Sequence, residues 1–95
     1  MPYKKDPSPR EIISRLTELV AIPSISSLDP SWDEGNRQVI DSLAEWSEHI
    51  GFSCEIQNVS PNGHKANLIA TRGTGPGGLI LAGHADTVPF DKDSW

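Results

Sequence analysis

Four consecutive apolar residues, Leu79-Ile80-Leu81-Ala82, constrain more than any other feature what this chain folds into. A strand with one wet face alternates apolar and polar side chains, whereas an unbroken apolar run needs cover on both faces, as in a sheet held between helical layers. The chain has 95 residues, and a domain of that length buries only about 60 to 65% of the surface its unfolded form exposes. It supports one modest core. The sequence supplies two helices and three strands, which hardly cover both faces of such a strand, a first hint that the chain is incomplete.

The first helix has a clear start. Ser8-Pro9-Arg10-Glu11 places a capping serine, a proline at the first helical position and a glutamate three residues after the serine. Ile12, Ile13, Leu16, Leu19 and Val20 then form one apolar stripe, and the helix should run from Pro9 to Ala21, ending before Pro23. A loop rich in Ser, Asp, Pro and Gly follows. Val39, Ile40, Leu43, Ala44, Trp46 and Ile50 line a second helix, predicted over Asp33 to Ile50 and closed by Gly51. Ser31 with Glu34 offers one start for it, and Asn36 offers another cap.

From Phe52 the period changes to two, with Phe52, Cys54 and Ile56 on one face. That marks a first strand. Pro61-Asn62-Gly63-His64 is a turn, and Ala66 to Thr71 returns antiparallel as the second strand. The six residues Gly73 to Gly78 are too few for a helical crossover, which needs about a dozen. A third strand, Leu79 to Gly83, should therefore run opposite to the second and parallel to the first.

Composition removes several classes of partner. Thirteen acidic against eight basic residues give a net charge of −5, and Lys4-Lys5 is the densest positive spot, so a nucleic acid is excluded. No apolar run exceeds four residues, far below the roughly 18 of a bilayer span, so no membrane is expected. The opening MPYKKDPSPR lacks the apolar segment of a secretory signal, and one cysteine forms no internal disulfide. The expected location is the cytoplasm.

The chemistry lies directly after the apolar run, in Gly83-His84-Ala85-Asp86-Thr87-Val88-Pro89. Ligands of open α/β sheets bind beyond the carboxyl ends of strands, and His84 stands at such an end. Gly83 should let the backbone turn closely there. In an extended chain the His-x-Asp spacing puts both side chains on one side. A metal-bound imidazole usually donates its other N–H to a carboxylate or carbonyl, a role open to Asp86. Spacing does not decide between that role and direct ligation by Asp86. Without a metal, the same residues simply close a strand.

The run LILAGHADTVPFDKDSW resembles the first metal-binding segment of the zinc-dependent deacylase and exopeptidase family that includes aminoacylase, succinyl-diaminopimelate desuccinylase and acetylornithine deacetylase. The likeness extends through AIPSIS, DSLAEWSEHIGF and ANLIATRGTGPGG, nearly the whole chain. Within the family, IPSIS, GGLILAGH and DTVPFD followed shortly by Trp are most similar to the acetylornithine deacetylase branch. The resemblance implies the N-terminal part of a three-layer α/β/α metallopeptidase catalytic domain with a mixed sheet. It implies that His84 is a ligand to one of two zinc or cobalt ions and that Asp86 orients it. The family's bridging aspartate, Glu-Glu pair and late histidine would lie beyond Trp95, so this chain alone should be inactive.

The implied substrate is a small N-acyl amino acid, N-acetylornithine, cleaved to ornithine and acetate in arginine biosynthesis. The resemblance leaves room for a homodimer of the full-length enzyme. A sibling deacylase, a dipeptidase and a non-catalytic α/β binding module are the alternatives.

Other candidates have simpler readings. His49 at the end of the second helix suits the helix dipole, and His64 sits in a solvated turn. Cys54 reads as a small buried hydrophobe. Cys54, His64 and His84 lack the paired spacing of a structural zinc site. GTGPGG has no following Lys-Ser/Thr and precedes a strand, so it is a turn rather than a phosphate loop. Ser24 and Ser26 resemble a family loop near the substrate cleft, although any helix-ending loop would look the same. Asp91-Lys92-Asp93 reads as a solvated loop.

Overall fold

The computed structural model describes residues 6–94. Lys4-Lys5, the rest of the opening segment before Asp6, and Trp95 lie outside the described residues. Two helices, α1 (Pro9–Ala21) and α2 (Arg37–His49), precede two strands, β1 (Ser53–Asn58) and β2 (Ala66–Thr71), and a single 3₁₀ turn at Lys92–Ser94. The architecture is an α/β mixture, as the sequence implies.

Helix α1 begins and ends where its sequence signals stand, with the Glu11 amide donating to Ser8 Oγ at 3.2 Å. Helix α2 is shorter than predicted: it begins at Arg37 rather than Asp33. Gly35 accounts for the late start. Its φ is +73°, and a Cβ there would collide with the His64 carbonyl and ring, so the chain turns left-handed just before the helix. Neither Ser31 nor Asn36 caps α2 with its side chain. The amides of Asn36 and Arg37 donate instead to the carbonyl of His64, both at 3.2 Å, so the β1–β2 turn serves as the cap.

The hairpin pairs Ser53 with Thr71 through Asn58 with Ala66 in antiparallel register. Val39, Ile40 and Ala44 are the buried face of α2, which packs on both strands. Asn36 makes the most specific link between the layers. Its Nδ2 donates to Ala66 O at 3.0 Å and its Oδ1 accepts from Ala66 N at 2.8 Å, so one side-chain amide pairs with β2 as a neighbouring peptide would. Arg37 adds a bond to Asn58 Oδ1 at 2.8 Å. Cys54 is half-buried, with its thiol 3.6 Å from Ala44 O.

Two strand expectations need correction. Leu79 to Gly83 forms no strand; the sheet has two strands rather than three. Ile80 is 91% exposed, and its neighbours Leu79 and Leu81 are nearly as open. A run apolar on both faces gains from strand geometry only when both faces are covered, and α2 already uses one face of the hairpin. Among the described residues, the only parallel contact outside the named strands is an isolated bridge between Ile25 and Thr87. Likewise, a Cβ at Gly83 would meet nothing within 4 Å, so no close approach of the backbone explains that glycine.

Candidate functional site

His84 and Asp86 do face one another. Their side chains meet at Nδ1 and Oδ1, 2.9 Å apart, and Asp86 O lies 3.2 Å from the same nitrogen. Both neighbours of Nδ1 are acceptors when the carboxylate is ionised, so in the neutral imidazole this geometry favours the proton on Nδ1 and leaves the Nε2 lone pair free. Both side chains are largely open to solvent. The two side chains, two residues apart in sequence, meet on the same side of the chain.

What holds this segment is the loop after α1. Ser26 N donates to Thr87 O at 2.8 Å, and Thr87 N donates to Ser24 O at 3.0 Å. Ser24 and Ile25 are buried, so this short parallel pairing ties the residue after Asp86 to a fixed part of the core. Sequence reasoning missed the link. The only available signal was the run of β-compatible residues in AIPSIS, and nothing in it named Thr87 as a partner.

The segment separates two recesses. Asp86 lines a small mixed one with Ser24, Ser26, Asn36, Val59, Lys65 and Ala66. His84 stands at the rim of a larger apolar groove of about 680 Å³, walled by Leu19, Val20, Val39, Leu43, Val88 and Phe90. Asp33 receives Ser27 N at 2.9 Å and Lys65 Nζ, from the small recess, at 3.0 Å. These contacts, the Ser27 amide first, hold its carboxyl below the usual aspartate value.

The other candidates stay apart from this pair. His49 Nε2 is 4.0 Å from Glu45 Oε1 on the exposed side of α2. His64 contributes its backbone carbonyl to the α2 start. Asp91 closes the 3₁₀ turn by accepting from the Asp93 amide and the Ser94 hydroxyl. Among the described residues no three His, Cys, Asp or Glu side chains converge to hold a metal ion. Among them also, no helix is long and apolar enough to cross a membrane.

No family model matches the chain. Curated relatives do: an acetylornithine deacetylase of Vibrio cholerae is 58% identical over 77 residues, which is 81% of this chain and 20% of the relative. Over that span the chain is similar to proteins named acetylornithine deacetylase. Those of Vibrio atlanticus and Aliivibrio fischeri are 53% and 51% identical, covering 81% and 82% of the chain and 20% of each relative. The chain thus spans about one fifth of the length of the deacetylases it matches.

Proposed function

We propose that this chain is the N-terminal portion of the catalytic domain of a metal-dependent amide hydrolase that converts N-acetylornithine to ornithine and acetate. The observation that carries the reading is the His84–Asp86 pair: a carboxylate fixes the Nδ1–H tautomer and leaves Nε2 free to ligate. Homology to enzymes named acetylornithine deacetylase supports the substrate. The cytoplasm and arginine biosynthesis are the setting this implies.

The residues present fit one edge of a metal site. His84 Nε2 would be a ligand to one of two zinc or cobalt ions, and Asp86 would hold the ring in orientation and raise its basicity. When bound, such ions supply Lewis acidity to an acyl carbonyl and acidify a water. A catalytic zinc takes about three protein ligands. This chain offers one imidazole of the right tautomer, so by itself it should neither hold zinc tightly nor hydrolyse the amide.

Two measurements test this. In a metal-loaded protein of the relatives' length carrying this segment, kcat/KM for N-acetylornithine should exceed that for N-succinyl-diaminopimelate, and His84→Ala should abolish turnover. Equal or reversed preference rejects the substrate; turnover that survives His84→Ala rejects the ligand role. For the 95-residue chain, calorimetric titration with zinc should show no stoichiometric binding, and a submicromolar affinity would contradict the single-ligand reading.

A further inference from the structure

The extended stretch Ser24 to Ser26 presents its backbone groups alternately to two edges. Thr87 takes one edge, through Ser24 O and Ser26 N. Glu34 takes the other: its amide donates to Ile25 O at 2.8 Å, and its carboxylate Oε2 accepts from Ile25 N at 3.1 Å. Glu34 therefore stands where a third strand would lie, with a side-chain carboxylate replacing the carbonyl that strand would bring. Ile25 is 2% exposed, so its N–H has little water to turn to if the carboxylate is withdrawn.

We infer that Glu34 is a positioning residue for the His84–Asp86 pair, acting through Ile25 and Thr87. The order of contacts is continuous: Glu34 holds Ile25, the Ile25 segment holds Thr87, and Thr87 adjoins the aspartate that orients His84. Asp33, one residue earlier, secures Ser27 and Lys65 and does not touch the edge that Glu34 satisfies. The carboxylates of 33 and 34 thus have separate tasks. The functional meaning rests on the proposed role of His84 and Asp86, but the backbone coupling does not depend on any metal.

Amide hydrogen exchange by NMR on the metal-free chain tests the coupling. Glu34→Ala should lower protection of the Thr87 and Ser26 amides by about tenfold, because a buried N–H loses a charge-assisted partner. The amides of α2 and of the β1–β2 ladder should change by less than about twofold, since local openings are independent of global unfolding. Glu34→Gln, whose amide oxygen still accepts, should restore most of the protection. Glu34→Asp, one methylene shorter, should behave as the alanine variant does.

In parallel, the Nδ1–H share of neutral His84, read from ring ¹⁵N shifts, should fall in Glu34→Ala and recover in Glu34→Gln. Unchanged Thr87 protection, an unchanged tautomer share, equal damage from Gln and Ala, or a uniform loss over the whole fold each overturns the inference. Should Glu34→Ala fail to fold, the contrast between Gln and Asp decides the matter. Failure of zinc binding or of catalysis would leave these readouts untouched, so the two proposals fail separately.

Discussion

Helices α1 and α2 are each 13 residues long and equally amphipathic, yet α2 buries Val39, Ile40 and Ala44 while α1 buries nothing. The difference lies in what comes next along the chain. Helix α2 is followed at once by the hairpin that covers its apolar stripe, and Asn36, Arg37 and the His64 carbonyl bolt the two together. The end of the α1 stripe, Leu19 and Val20, lines an open groove, and α1 meets α2 where Arg15 lies 4.5 Å over the Trp46 ring. Amphipathic spacing declares that a face needs cover; it does not supply the cover.

The comparison breaks most sharply at matched isoleucines. Ile40 is 6% exposed and Ile13 is 64% exposed. Ile40→Ala should destabilise the chain by about 3 kcal/mol and Ile13→Ala by less than about 0.5 kcal/mol, read from urea melts. Equal effects would mean that α1 is packed in solution. Next in size is the clasp on β2: Asn36→Ala should cost about 2 kcal/mol, since it strands both polar groups of Ala66. Asn36→Asp keeps the acceptor but turns a carboxylate oxygen toward the Ala66 carbonyl, and should cost at least as much.

The smallest effect concerns the loop that joins the two regions. Contacts from the Ser27 amide and Lys65 depress the Asp33 carboxyl, so their stabilisation is complete above the ordinary value of 3.8 and fades as pH falls through the lower folded-state value. The Ser27 amide shift should follow that acid transition and lose it in Asp33→Asn. A Ser27 shift that titrates unchanged in the variant would remove Asp33 from this role.

Local signals in the sequence located α1, the hairpin and its turn, because caps, prolines and periodicity act over a few residues. The same locality explains the errors. Asn36 was legible as a capping residue, yet its amide goes to Ala66, thirty residues away. The start of α2 was misplaced because the reason for it, the carbonyl of His64, lies beyond the reach of helix-start rules. The apolar run at 79–82 was read as a strand covered on both faces, yet it is exposed and forms no strand, because neither helix nor hairpin supplies it a partner.

For the candidate site, the His-x-Asp spacing was legible, and the structure brings Asp86 Oδ1 to 2.9 Å from His84 Nδ1. The sequence alone determined the α/β character, the deacylase-family resemblance and the candidacy of His84 and Asp86 as a pair. Only the tertiary structure decided what holds the pair in place. Thr87 against Ser24 and Ser26, with Glu34 on the far edge of Ile25, joins segments 9 to 63 residues apart. Such contacts arise when the backbone groups of a buried segment must all find partners, and which partners lie within reach is settled only by the packed chain.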